Sequence, residues 1–406
     1  MQSGTLLAEP ALTKEVTTKN KPWWTELDGL RALAFLLVFY SHTTGLFWRA
    51  DGGRSPLYQA LFQIDSHLKN WGWIGVDLFF VLSAFLITSI LLGEREKTSK
   101  VNLKNFLTRR VLRIWPLYYF YLAVIALFFP ILLSEQSKIG LPVSAEQHAH
   151  WAEQLCAFLV FLGNYSMIKL GELVTPLNPL WSLCIEEQFY IIWGLTMTLV
   201  KTRRQAISIL LGGIALAFAA RAFVFFGQGA DHTITHLEYY VNGLTHMDSI
   251  LMGALSAFIW TKWGETLKAS KVVPPIFFAL ALATTGGIIA FAPTIESKDP
   301  SLIFSMFGVA LGWTFFLFAT LTYQPVKRFF SLPALTHIGR LTYGLYIFHF
   351  LAIYCVLIYS RHFIKTPGQS TSVLLLWGLA LPLTYGAARL SWRYLEEPFI
   401  KLKSKF

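Results

Sequence analysis

Charge is scarce in this chain. Lysine, arginine, aspartate and glutamate make up 14% of its 406 residues, against about 25% in an ordinary soluble domain, so a water-soluble multi-domain enzyme is excluded. Cysteine is nearly absent: Cys156, Cys184 and Cys355 stand singly in apolar stretches. None is spaced as a C-x-x-C or metal pair, so all three read as packing residues and no metal is expected. Also missing are an internal repeat, a low-complexity segment, a soluble stretch of domain size and an N-terminal apolar run of the signal-peptide kind.

What is present is hydrocarbon. Apolar residues are 54% of the chain, with 34 Phe and 14 Trp, and the mean hydropathy is +0.50. The net charge is nevertheless +11, so the basic residues must sit in short connections between apolar runs. Nucleic-acid binding, the other usual reading of a basic chain, needs a basic stripe and few such runs, and no nucleic acid is expected as a partner. The partner this composition specifies is a lipid bilayer.

A membrane span needs about 20 apolar residues. Ten segments qualify: 27–47, 70–92, 112–133, 180–200, 205–226, 243–262, 273–292, 302–322, 340–360 and 372–393. A shorter run, 152–168, fits a re-entrant or interfacial piece, because counting it as a span would put Lys201, Arg203 and Arg204 outside. With ten spans, about 24 of the 34 basic residues fall on the cytoplasmic side, as the positive-inside rule requires. The expected fold is therefore all-α and polytopic, in the plasma (inner) membrane with both termini cytoplasmic. Residues 1–22 read as a disordered polar tail and 23–406 as a single membrane domain. Trp23, Trp24, Trp71, Trp73 and Trp115 are expected at the membrane surfaces, and the loops 48–69 and 134–151 are the longest outside.

Ionisable groups within spans cost from about 2.5 to more than 10 kcal/mol and mark functional sites by default. Arg31 and His42 are eleven residues apart in the first span. That is about 20° beyond three full turns, so they share a face, separated by about 16 Å along the axis. The competing reading is a snorkelling arginine and a histidine bonded to a neighbouring helix. Arg109, Arg110 and Arg113 crowd the mouth of the third span. Arg110 and Arg113 point the same way and suit a phosphate, or they merely set the topology. Ser182 and Glu186 share a face of the fourth span near its outer end, where Glu186 can orient a hydroxyl or bond to another helix; Glu187 points about 100° away and reads as structural. His246 and Asp248 are expected near an external entrance. Tyr343, Tyr346 and His349 form a polar stripe in the ninth span that either packs or meets substrate.

Taken in order, L-D-G-L-R-A-L-A-F at 27–35 with His42, G-V-D-L-F-F-V-L-S-A-F at 75–85, R-R-V-L-R-I-W-P at 109–116, L-W-S-L-C-I-E-E-Q-F-Y at 180–190, M-D-S-I-L-M-G at 247–253, T-Y-G-L-Y-I-F-H at 342–349 and L-E-E-P-F at 395–399 resemble the acyltransferase 3 family of integral-membrane acyltransferases. The family's arginine and histidine fall on Arg31 and His42, its R-x-x-R on Arg110 and Arg113, and its S-x-x-x-E on Ser182 and Glu186. Two positions depart: Ala84 stands where glycine is usual, and His246 where an arginine often precedes the M-D pair.

The resemblance implies transfer of an acyl group, commonly acetyl, from cytoplasmic acyl-CoA to a hydroxyl of a carbohydrate or glycosylated acceptor at the outer face. On that reading Arg31, Arg110 and Arg113 bind acyl-CoA, and His42 and Glu186 are catalytic. Ser182, Tyr346, His349 and Asp248 bind or support the acceptor. His42 either takes the acceptor's proton or briefly carries the acyl group, and both routes stay open. With no esterase-like domain expected after the last span, the acceptor is expected either at the membrane surface or on a separate acceptor-presenting protein. The alternative is a proton-coupled transporter using midplane His and Glu residues; it calls for broken helices in matching halves, which the sequence lacks.

Overall fold

The computed structural model describes residues 24–44, 71–138, 145–171, 175–227, 236–293, 299–363 and 376–405. The tail 1–22 and the expected loop 48–69 lie outside them. The described residues are helical, with no strand among them. The helices are α1 (Thr25–Thr44), α2 (Ile74–Thr98), α3 (Leu103–Lys138), α4 (Ala145–Leu159), α5 (Gly163–Leu170), α6 (Trp181–Leu199), α7 (Arg203–Ala222), α8 (His236–Tyr240), α9 (Asp248–Ala269), α10 (Val273–Phe291), α11 (Leu302–Thr322), α12 (Gln324–Phe330), α13 (Pro333–Phe363), α14 (Leu381–Ser391) and α15 (Glu397–Leu402). Two wide π turns, Leu376–Ala380 and Trp392–Glu396, flank α14. Pro382 and Pro398 follow them and remove the amide protons a regular helix would use there.

Among the described residues, six helical segments are long and apolar enough to cross a membrane: Ile74–Thr98, Leu103–Glu135, Arg203–Gly227, Val273–Phe291, Leu302–Thr322 and Pro333–Ser360. Three other expected spans, α1, α6 and α9, have 20, 19 and 22 residues. They fall outside that set and hold Asp28, Arg31, Glu186, Glu187, Asp248 and Lys262, charged groups that lower their hydropathy. The tenth, 372–393, is described only from Leu376 and is divided by its π turns.

Side-chain contacts fix the directions. A Cβ on Gly339 would lie 1.8 Å from the Asp28 carbonyl oxygen, and His42 meets His349, so α1 and α13 run parallel. Gly72 and Gly75 lie against Leu37 and Ala34, so α2 runs opposite to α1. Ser83 and Thr88 meet Glu186 and Trp193 in the same chain order, and Asp77 and Val81 meet Ser249 and Gly253 likewise, setting α6 and α9 parallel to α2. The same alternation holds for α7 against α9, through Arg203 on Phe258 and Arg221 on Asp248. It holds again for α10 against α11, through Gly308 on Ile288 and Gly312 on Thr285.

Segment 152–168, expected as a re-entrant or interfacial piece, falls on two short helices, α4 and α5, broken at 160–162, where Phe161 takes φ of 56°. Several expectations need correction. Most of 134–151 is helical, because α3 runs to Lys138 and α4 begins at Ala145. Trp71 and Trp73 are 2% and 9% exposed; they pack at the start of α2, Trp73 against Tyr240 and His246, and not in an interfacial belt. Cys156 is exposed, in contrast to buried Cys184.

Candidate active site

The four helices α1, α2, α6 and α13, with the first part of α3, enclose a cavity of about 120 Å³. Arg31, Arg110 and Arg113 line it, together with Glu186, Ser182 and Tyr346. The helix directions explain the grouping. On antiparallel α6 and α13, Ser182 meets Tyr346, the two hydroxyls 2.7 Å apart, while Glu186 and Tyr190 follow on successive turns toward the arginine end. Arg110 and Arg113 lie inside α3, which begins at Leu103, rather than in a connection before it.

Each polar group has a local reason for its position. Arg31 donates to Asp28 Oδ1 at 2.6 Å, one turn earlier on α1. Tyr190 Oη donates to Glu186 Oε2 at 2.6 Å, and Ser83 Oγ reaches the same oxygen at 3.2 Å; the Ser83 and Tyr190 hydroxyls also touch each other. Tyr346 Oη donates to the Pro179 carbonyl at 2.8 Å, leaving its lone pair for the Ser182 hydroxyl. Glu187, on the other side of α6, accepts from Trp115 Nε1 at 3.1 Å and ties α6 to α3. Arg110 Nε is buried with no hydrogen-bond partner among the described residues. A buried guanidinium N–H left unpaired costs about 1–3 kcal/mol, and the same residue lines the cavity.

Arg31, Arg110, Arg113, Ser182, Glu186 and Tyr346 are thus brought together, but the expected division of the site is not. Glu186 is a wall of the same cavity as the arginines, not a separate outer station. His42 does not line that cavity. Its Nδ1 lies 2.8 Å from Nε2 of buried His349, whose own Nδ1 lies 2.6 Å from the Tyr346 carbonyl. Tyr346 therefore joins the histidine pair to the cavity, the pair lying about 4.5 Å farther along α13.

His246 and Asp248 are not at an entrance; they are 0% and 1% exposed. Asp248 opens α9 and takes both arms of Arg221 from α7. His246 bridges the Tyr240 carbonyl at 2.6 Å and Asp77 Oδ1 at 3.0 Å, with Ser249 on the same oxygen. These are links between helices, and burial rather than access sets their place. Arg221, Ser83 and Asp77 escaped the sequence reading. Tyr190, four residues from Glu186, was detectable by helical spacing, whereas Ser83 and Asp77 meet partners more than a hundred residues away.

A helical membrane-type bundle enclosing an arginine-rich cavity beside a histidine pair defines a class, and the chain belongs to the acyltransferase 3 family, whose acyltransferase domain matches residues 24–391. It is similar to the peptidoglycan O-acetyltransferase OatA of Listeria monocytogenes, 29% identical over 406 residues, covering 96% of this chain and 57% of that protein. It is also similar to the O-acetyltransferase OatA of Staphylococcus aureus (strain NCTC 8325 / PS 47), 25% identical over 386 residues, covering 92% of this chain and 57% of that one. The chain thus spans little more than half the length of these relatives. No solved structure matches it.

Proposed function

We propose that the protein transfers an acetyl group from acyl-CoA to a hydroxyl of a carbohydrate acceptor of the peptidoglycan kind, across ten spans with both termini in the cytoplasm. The observation behind this reading is the cavity that gathers Arg31, Arg110 and Arg113 against Glu186, Ser182 and Tyr346, with Arg110 Nε lacking a partner. Guanidinium groups take phosphate oxygens in two-pronged fashion, so Arg110 and Arg113 hold the phosphates of the donor. The space of about 120 Å³ suits a short acyl-thioester end and not a nucleotide, which stays at the arginine mouth.

The thioester reaches the Ser182 and Tyr346 hydroxyls, and Arg31 stabilises charge developing on its oxygen. Glu186, seated by Tyr190 and Ser83, orients the acceptor hydroxyl. His42 takes the hydroxyl proton as the new O–C bond forms and the C–S bond breaks, and the proton then returns to the departing thiolate. A two-step route through acyl-His42 uses the same nitrogen and gives the same products. Names of the relatives support acetyl as the group and peptidoglycan as the acceptor class.

The test is acetyl transfer from radiolabelled acetyl-CoA to soluble peptidoglycan fragments by detergent-purified protein. Transfer that falls at least about 100-fold in His42→Ala, with CoA binding kept, supports the reading. Undiminished transfer in His42→Ala overturns it. Quenched protein that yields an acetylated His42 peptide by mass spectrometry selects the two-step route.

A further inference from the structure

We infer that His349 is a positioning residue that holds His42 in its Nδ1–H tautomer and leaves the lone pair on Nε2 to receive the proton. This rests on the reading of His42 as the base.

The assignment follows from the hydrogen bonds in sequence. A backbone carbonyl only accepts, so the contact of His349 Nδ1 with the Tyr346 carbonyl at 2.6 Å fixes a hydrogen on that nitrogen. In a neutral ring the other nitrogen, Nε2, then carries the lone pair. Nε2 is the atom that meets His42 Nδ1 at 2.8 Å, so His42 must be the donor of that bond. A neutral His42 with its hydrogen on Nδ1 has its basic lone pair on Nε2.

The surroundings favour this state. His349 is 0% exposed, and its other neighbours are the rings of Phe35, Phe39, Tyr346 and Phe350. None carries a negative charge that would balance a second proton on the ring. The two imidazoles are 11° from coplanar with centroids 5.1 Å apart. That separation is what an N···N contact of 2.8 Å plus two ring radii gives when the bond lies along both ring axes, so the pair forms an in-plane, nearly linear hydrogen bond and not a face-to-face stack. Phe350 stands edge-on to His42 at 5.2 Å and limits rotation of the ring out of that plane.

The arrangement does what the buried carboxylate does in a serine-protease triad, orienting the imidazole and selecting its tautomer, but with a neutral acceptor. When His42 gains a proton on Nε2, its Nδ1–H bond to His349 becomes charge-assisted and shortens. The proton that has moved is thereby held without a buried anion beside it.

The experiment compares three variants in the acetyl-transfer assay with acetyl-CoA and soluble peptidoglycan fragments, alongside thermal stabilisation by CoA. His349→Leu, which keeps bulk and removes the acceptor, is expected to lower kcat about 100-fold with KM for acetyl-CoA and CoA stabilisation unchanged. His349→Gln, whose carbonyl can accept from His42 Nδ1–H, is expected to restore at least about tenfold of that loss. His42→Ala separates the two readings: if it keeps transfer, the base assignment fails. If it is inactive while His349→Leu keeps kcat within about twofold of the parent, the positioning role fails and the base survives. Equal loss in the Leu and Gln variants also overturns the tautomer argument.

Should His349→Leu not fold, the parent protein with ring-15N histidine answers directly, with His42 assigned by its disappearance in His42→Gln. A protonated Nδ1 and an unprotonated Nε2 on His42 are the expected result, and the reverse pattern overturns the inference.

Discussion

At the scale of single residues, the site is held by bonds that a sequence presents as unrelated letters. Glu186 has its two partners, Tyr190 and Ser83, on one oxygen, so exchanging that carboxylate for an amide removes charge and a lone pair together. Glu186→Gln is expected to lower acetyl transfer at least about tenfold while leaving CoA binding in place; unaltered transfer would remove Glu186 from the reaction. Arg221 poses the opposite case, a buried cation whose purpose is architectural. Its partner Asp248 is 1% exposed, and removing the guanidinium leaves an uncompensated buried carboxylate at a cost of about 3–5 kcal/mol. Arg221→Met should therefore fail to accumulate or melt well below the parent, and Arg221→Met with Asp248→Asn should recover much of the loss. Equal melting temperatures for Arg221→Met and the parent would contradict the role of the pair.

Among the elements, two of the helices that line the cavity, α1 and α6, are more charged than a membrane span, while α2, α3 and α13 line it from within the span-like set. α1 and α6 hold Asp28, Arg31, Glu186 and Glu187, and close packing against α2, α3 and α13 offsets the cost of those groups. Glycine makes that packing possible. A Cβ at Gly339 would fall 1.8 Å from the Asp28 carbonyl oxygen, and one at Gly253 2.3 Å from that of Val81. Backbone cannot yield as a side chain does, so Gly339→Ala and Gly253→Ala are each expected to cost at least about 1–3 kcal/mol. Gly339→Ala should in addition weaken transfer, because it moves Asp28 and with it Arg31. A Gly339→Ala protein with parental melting temperature and activity would show that α1 and α13 do not approach as described.

The helix periods were legible in the sequence, and so were Arg31, Arg110, Arg113, Ser182 and Glu186, since spacing of three, four or eleven residues places groups on one face. What could not be read was depth and partnership. The rotation that aligned Arg31 with His42 gave no hint that Arg31 would turn into the cavity while His42 turned to His349. The motif around Asp248 looked like an entrance because its partner Arg221 belongs to another helix. The tryptophans at 71 and 73 suggested an interface because a sequence does not distinguish a ring against lipid headgroups from one against Tyr240 and His246.

For the molecule as a whole, α2, α6 and α9 run opposite to α1, α7 and α13, and the proposed ten-span topology puts the loop from Lys201 to Arg204 in the cytoplasm. A cysteine placed at Lys201 in a Cys156→Ser background, which removes the exposed native thiol, and treated with a membrane-impermeant reagent in intact cells should stay unreacted and become reactive when the membrane is opened; labelling at that position in intact cells would reverse the topology. The central claim is that the arginine-lined cavity receives a CoA thioester. The most direct measurement is the melting temperature of the detergent-purified protein with acetyl-CoA, free CoA and ATP, repeated with Arg110→Ala/Arg113→Ala. A rise of several degrees with the two CoA compounds at about 100 times their Kd, corresponding to about 2.7 kcal/mol, with a smaller effect of ATP and none in the double variant, is the result this account predicts. A folded parent protein that no CoA compound stabilises, or a double variant stabilised as well as the parent, would contradict it.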